Sequence, residues 1–228
     1  SSVGHGGASA YIAIMTLTGV PVSSIKPIGL VLNIIVSSIG SYRYIKNQLF
    51  NMSVFLPVIC GSVPAAFIGG YIQLPADSYR PILGAILIIS GIQFLFQILD
   101  SLRNNQASRK SQPLIAFFAG IAIGLLSGLT GTGGGIFLSP LIVFLGWTTV
   151  RGASGTASAF ILLNSIAGLS GNLSSLQTLP SNIWIYAIAA LLGVTIGTQL
   201  GIKTLNEAWI KKTLGLVLII AGLKFILT

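Results

Sequence analysis

Long runs of apolar residues, interrupted by short turns, make up most of the chain and predict helices. A run of about 20 apolar residues has the length of a helix that crosses a bilayer. The second half divides at its turns into five runs: 113–130, 136–147, 152–170, 183–201 and 212–227. The first half divides into four: 8–19, 27–42, 53–72 and 81–99. This pattern predicts an all-α, polytopic membrane protein.

Two of these runs are too short to cross a membrane. Runs 8–19 and 136–147 each correspond to roughly 18 Å of helix, whereas the hydrocarbon of a bilayer is about 30 Å thick. Each run follows a glycine-rich motif, which is Gly4-His5-Gly6-Gly7 in the first half and Gly131-Thr132-Gly133-Gly134-Gly135 in the second. We therefore expect broken or re-entrant helices at these two motifs.

The two halves of the chain resemble each other, and internal repeats decide how a fold is interpreted. The run LGAILIISGIQFLF (83–96) resembles LGLVLIIAGLKFIL (214–227), and Asn33 and Asn164 occupy matching positions. We divide the chain into a first repeat over 1–99, a polar linker over 100–112 and a second repeat over 113–228. Because the first half has no counterpart of run 113–130, we expect a further helix to precede residue 1.

Composition excludes a soluble domain. Charged residues make up 7% of the 228 positions and hydrophobic residues 53%, whereas soluble domains carry about 25% charged residues. Disorder is excluded as well, since disordered chains have low hydrophobicity. The partner that this composition predicts is the lipid bilayer of the cell membrane.

The net charge of +9 is attributed to membrane orientation rather than to nucleic acid, because Lys and Arg collect in cytoplasmic loops. Basic residues lie in the linker 100–112 and at Arg43 and Lys46, whereas the matching loop 172–182 has no charge. We therefore place the linker in the cytoplasm. With five runs in a complete repeat, the two halves then have inverted topologies.

The glycine motifs are the candidate binding sites. Consecutive glycines allow positive φ and a close approach of the backbone to a ligand, and the N–H groups that start the following helix favour an anion. The alternative is that the glycines only let helices pack closely. GTGGG is not a nucleotide motif, since no Gly-Lys-Ser/Thr follows it, and no cofactor is expected. The candidate substrate-binding residues are Gly4, His5, Gly6, Gly7, Gly131, Thr132, Gly133, Gly134, Gly135, Asn33 and Asn164.

A few polar side chains within or beside the apolar runs leave two interpretations open. Asn33 and Asn164 each either hold a neighbouring helix or donate to an anion, because a buried amide needs a partner. Lys26 and Arg151 either attract an anion or extend to the membrane surface as loop cations. The acids lie in loops or at the ends of runs, so His5 is the titratable candidate near a motif.

The second half carries a family signature. The stretch GLLSGLTGTGGGIFLSPLIVF (124–144), followed by GTASAFILLNSIAG (155–168), resembles the TauE/SafE family of sulfite exporters. The glycines of GTGGG and Pro140 match its motif, whereas the first half has Ala8 in place of the last glycine and lacks the proline. The resemblance implies transport of small sulfur-containing anions, sulfite or organosulfonates, across the plasma membrane, driven by the proton gradient.

These features predict a secondary transporter that works by alternating access, and not an enzyme. One alternative is a passive anion channel. Another is an intramembrane serine protease, because Gly168-Leu169-Ser170-Gly171 has the form of a protease motif. A serine nucleophile needs an activating base, and the single histidine, His5, lies far upstream.

Overall fold

The structure is a computed structural model that describes residues 7–95, 110–181, 183–202 and 207–227. Within these ranges every regular element is helical, which confirms the predicted all-α fold. The elements are α1 (Ala8–Leu17), α2 (Val22–Lys46), α3 (Met52–Tyr71), α4 (Ala76–Leu95), α5 (Pro113–Thr130), α6 (Gly135–Phe144), α7 (Val150–Gly171), the 3-10 helix Leu173–Thr178, α8 (Ile183–Ile202) and α9 (Glu207–Leu227).

Four of the described helices, α2, α3, α5 and α7, are long and apolar enough to cross a membrane. By contrast, α1 and α6 have ten residues each, so the two short helices beside the glycine motifs are confirmed. A ten-residue helix spans only about 15 Å. Their chain must therefore turn or continue inside the protein rather than cross the bilayer as a single helix.

Helix α2 begins earlier than the sequence pattern predicted. The prediction began at Pro27, but the helix begins at Val22 and contains Pro27 in its second turn. A proline this close to a helix start removes only one hydrogen bond near the end of the ladder, so the helix tolerates it better than an interior proline. The additional turn carries Lys26 into the helix, where it is buried.

Helices α3 and α5 pack together through glycine. A Cβ added to Gly120 would lie 2.2 Å from the carbonyl oxygen of Val58, and one added to Gly124 would lie 2.3 Å from that of Ser62. The two backbones are therefore in contact, as small residues allow in membranes. Because the contacting residue numbers rise together along both helices, α3 and α5 are parallel.

The helices that the predicted repeat matches run in opposite directions. Gly40 of α2 contacts Ser158 of α7, while Leu30 contacts Gly168, so α2 and α7 are antiparallel. Helices α4 and α9 are antiparallel too, since Gly84 packs on Gly222 whereas Gly91 packs on Gly215. Opposite directions are what an inverted repeat requires, but inversion of the whole halves stays a prediction.

Two apolar clusters form the interior. One gathers residues of α1, α2, α4 and α9, including Ile12, Leu83 and Leu218. The other gathers residues of α3, α5, α6 and α7, including Val58 and Ile142. The two short helices thus belong to different clusters. The chain segment that joins α5 to α6 lies against α2 and α7, between these clusters.

Candidate functional site

Residues 131–135, which join α5 to α6, form a buried turn that we call the glycine turn. Gly131, Gly133 and Gly134 have φ of 77°, 73° and 74°. An L side chain rarely adopts this left-handed region, so the backbone path requires glycine. The turn ends α5 and starts α6 within five residues.

The surroundings of the turn also exclude side chains. A Cβ on Gly133 would lie 2.7 Å from Cγ2 of Ile161 and 2.8 Å from Nδ2 of Asn33. A Cβ on Gly134 would lie 2.9 Å from Cε1 of Phe160. Close packing therefore accounts for these glycines whether or not they bind a ligand. Binding of a ligand would instead depend on the polar groups of the turn.

The carbonyl groups on the α5 side of the turn are occupied. The hydroxyl of Tyr79 donates to the carbonyl oxygen of Thr130 at 2.9 Å, and Nδ2 of Asn33 donates to that of Gly131 at 3.1 Å. The N–H of Gly131 itself donates to the carbonyl of Ser127 at 2.8 Å. The end of α5 is thus capped by side chains from α4 and α2.

The first N–H groups on the α6 side, by contrast, have no acceptors in the described structure. Gly134 is the N-cap residue, and no side chain caps the helix. Its carbonyl accepts from the N–H groups of Phe137 and Leu138. Within the described residues, the N–H groups of Gly135 and Ile136 have no acceptor, as is usual for a first helical turn that lacks a cap.

Two buried hydroxyl groups without partners in the described structure, one on α5 and one on α6, lie near the start of α6. Ser127 is fully buried and Ser139 is 3% exposed, and neither Oγ has a hydrogen-bond partner in the described structure. The Cβ of Ser127 lies 3.2 Å from the position of a Cβ on Gly134, and Ser139 lies one turn into α6. Free donors at a buried helix start suit a small anion.

Asn33 and Asn164 differ although both are fully buried. Asn33 accepts a hydrogen bond from the hydroxyl of Tyr11 and holds the glycine turn through Gly131. The sequence left open whether this amide holds a neighbouring helix or donates to an anion. The structure supports the first interpretation for Asn33, which joins α1, α2 and the turn. Asn164 donates to the carbonyl of Phe160 in its own helix at 2.9 Å, and its Oδ1 has no partner in the described structure.

The first glycine motif is described only at its end, because Gly4, His5 and Gly6 lie outside the described residues. Gly7 is the N-cap of α1 with φ of 86°, as Gly134 is the N-cap of α6 with φ of 74°. The two motifs therefore start their short helices in the same backbone conformation. The predicted roles of Gly4, His5 and Gly6 stay predictions.

Lys26 is not the loop cation at the membrane surface that was one of the two interpretations drawn from the sequence. It is buried, and its Nζ donates to the carbonyls of Gly69 at 3.2 Å, Gly70 at 2.9 Å and Ile72 at 3.0 Å. These carbonyls end α3, where the helix dipole favours a cation. Lys26 thus caps α3 from a neighbouring helix. Arg151, the other cation that the sequence singled out, is exposed.

The protease alternative receives no support from the described residues. Ser170 is exposed, and its Oγ donates to the carbonyl of Ile166 in its own helix at 2.8 Å. This is the ordinary back-bonding of a helical serine.

The sequence offered Ser139 as a weaker candidate, but sequence reasoning missed Tyr11, Tyr79 and Ser127, as well as the capping role of Lys26. Ser127 carried a signal, since it lies four residues before the glycine turn as Ser139 lies four residues after it. The tyrosines carried none, because Tyr11 reaches Asn33 and Tyr79 reaches Thr130 from distant helices.

Comparison with known proteins shows the family to which the chain belongs. The family model described as sulfite exporter TauE/SafE matches residues 1–225. The chain is a multi-pass helical membrane protein of the cell membrane, and it belongs to this transporter family.

Two relatives extend over nearly the whole chain. It is 37% identical to the probable membrane transporter protein y4hK of Sinorhizobium fredii, over 99% of this chain and 92% of that protein. It is 26% identical to the probable membrane transporter protein YdhB of Bacillus subtilis, over 97% of this chain and 92% of that protein. No solved structure matches the chain.

Proposed function

We propose that this protein is a secondary transporter that moves a small sulfur-containing anion, sulfite or an organosulfonate, across the cell membrane. The observation that carries the proposal is the group of unpaired donors where the glycine turn starts α6. The carbonyls of Thr130 and Gly131 are bonded to Tyr79 and Asn33, while N–H groups and two buried hydroxyls stay free. The membership of the TauE/SafE family supports the same substrate class.

The arrangement favours an anion over a cation. A cation in a membrane protein is held by carboxylates or free carbonyls. Here the carbonyls before the turn already accept hydrogen bonds, and Asp77, an acid in the described part of the chain, is exposed. A dianion or monoanion at the start of α6 would instead accept hydrogen bonds and interact with the positive end of the helix dipole.

Alternating access would follow from movement of one half against the other. The antiparallel pairs α2–α7 and α4–α9 support two inverted halves that meet in the membrane. In such transporters the substrate lies at the interface of the repeats, near the start of interrupted helices. The proton gradient is the proposed energy source.

The test is flux in proteoliposomes across a panel of sulfite, sulfoacetate, sulfate and chloride, with and without an imposed pH gradient. A secondary transporter accumulates its substrate against a gradient when protons drive it, whereas a passive channel only equilibrates it. Absence of flux for sulfite and for sulfoacetate would overturn the substrate assignment. Flux without accumulation would favour the channel.

The site itself is tested by Ser127→Ala and Ser139→Ala. A hydrogen bond to a charged group contributes about 1.5–3 kcal/mol, so each variant should raise the KM for the transported anion roughly tenfold or more. Ser170→Ala is the matched control, since this exposed serine bonds only to its own helix. An unchanged KM in both variants would refute the site.

A further inference from the structure

A cavity of about 370 Å³ opens where α2 begins, on the face predicted to lie outside the cell. Its walls come from α2, from the start of α4 and its preceding loop, and from the chain just after α7. They include Ser23, Lys26, Gln73, Tyr79, Asn172 and Ser174. Lys26 is the only charged residue in this lining.

The charge of Lys26 is only partly compensated. Its ammonium group binds three carbonyls that end α3, and a helix end carries only about half an elementary charge. Among the described residues no carboxylate forms an ion pair with it. A buried cation without a full counter-charge is costly, so an anion that entered the cavity would lower that cost.

A second wall of the cavity has unused hydrogen-bonding capacity. Asn172 is 4% exposed, and its Oδ1 has no partner in the described structure. The two ends of an amide differ little in size, and their assignment follows from the groups around them. A half-turn of the side chain would therefore present an N–H donor to an anion.

Two residues connect the cavity to the glycine turn. A Cβ on Gly131 would lie 2.8 Å from the carbonyl oxygen of Lys26, so the backbone of Lys26 packs directly on the turn. Tyr79 lines the cavity, and its hydroxyl donates to the carbonyl of Thr130 at the start of the turn. Lys26 and Tyr79 thus form the boundary between the open cavity and the buried turn.

We propose that this cavity is a second anion site, at which the transported oxyanion binds beside Lys26 before it passes the Lys26–Tyr79 boundary to the glycine turn. The proposal rests on the proposed function for its ligand. The cavity site differs in location from the site at the glycine turn, because the cavity is open whereas the glycine turn is buried.

Thiol modification tests the proposal without requiring transport. Ser174→Cys, made with the exposed Cys60 replaced by alanine, places one thiol in the cavity. Its rates with an anionic and a cationic methanethiosulfonate are each divided by the rate on a free thiol in solution. We expect the anionic reagent to be favoured roughly fivefold or more by the nearby charge, and sulfoacetate to slow the reaction.

Variants of Lys26 identify the source of the preference. Lys26→Gln keeps an amide donor for the carbonyls of α3 but removes the charge, and it should abolish the preference. Lys26→Arg should retain it. The control is Lys224→Gln, since Lys224 donates to the carbonyls of Thr16 and Leu17 at the end of α1, beside a different cavity. This variant should leave the preference unchanged.

The outcomes separate this proposal from the proposed function. Equal rates for the two reagents in the protein with Lys26, together with no protection by sulfoacetate, would overturn the second site even if sulfite flux is normal. A preference that depends on Lys26, in a protein without flux of sulfur anions, would retain the site and overturn the transport assignment. If Lys26→Gln does not fold, protection by sulfoacetate decides the question in the Ser174→Cys protein.

Discussion

Asn33 and Asn164 occupy matching positions in the two halves and are both fully buried, yet they form different contacts. Asn33 bonds to Tyr11 and to Gly131, which belong to two other elements. Asn164 bonds only to Phe160 of its own helix and leaves its carbonyl unpaired in the described structure. Among the described residues, the two matching positions therefore have different partners.

One part of this difference corresponds to a difference between the short helices. The fourth residue of α1 is Tyr11, which donates to Asn33, whereas the fourth residue of α6 is Leu138, which has no hydroxyl to donate. In the first half, Asn33 thus bonds to the glycine turn. In the second half, the side-chain carbonyl of Asn164 has no donor in the described structure. The lesson is that the two glycine motifs need not contribute equally to one site.

The largest effect is expected where Asn33 meets the glycine turn. Gly133→Val would force a β-branched residue into positive φ, at more than about 1 kcal/mol, and would overlap Asn33 and Ile161. We expect little folded protein, measured as the monodisperse fraction in detergent. Gly193→Val is the control, since a Cβ there meets no atom within 4 Å. Normal yield and melting temperature for Gly133→Val would refute the described turn.

The comparison itself is tested by Asn33→Leu against Asn164→Leu. Asn33→Leu leaves the hydroxyl of Tyr11 and the carbonyl of Gly131 unpaired, at about 1–3 kcal/mol for each buried group. Asn164→Leu removes a single bond within one helix and an unpaired oxygen, so the change in free energy of unfolding should stay within about 1 kcal/mol. Unfolding in mixed micelles measures both. Equal losses would remove the distinction between the two asparagines.

A smaller effect is expected for Tyr11→Phe, which gives Asn33 the unpaired carbonyl that Asn164 already has. The loss should be about 1 kcal/mol. In a double-mutant cycle with Asn33→Leu the two losses should not add, because they remove the same hydrogen bond. Additive losses would show that Tyr11 and Asn33 do not interact.

The smallest effect is expected for Tyr79→Phe, which releases the carbonyl of Thr130 next to the open cavity. Water from the cavity can replace the lost donor, so the free energy of unfolding should fall by less than about 1 kcal/mol. The expected consequence is functional, a faster flux of substrate down its gradient. A large loss of stability would mean that this boundary is structural rather than a passage.

Several elements could be predicted because their signals are local. Helix α5 was predicted with the bounds that the structure has, since Pro113 begins it and Gly131 in positive φ ends it. The start of α2 was predicted wrongly, because a proline near a helix start stops the helix only when the preceding residues cannot adopt helical angles. One of the two interpretations of Lys26, the surface cation, was wrong for the same reason, because the extra turn of helix buries this residue.

The sequence alone determined the class of membrane protein, the family signature, the helices and the two short helices. These depend on apolar length, turn residues and glycine spacing, which act within one stretch of chain. The tertiary structure decided which polar groups at the glycine turn are used and which stay free. That outcome depends on Tyr79, Asn33 and Tyr11, which reach the turn or one another from separate helices. A hydrogen bond needs atoms about 3 Å apart, and only the packing of distant segments brings them there.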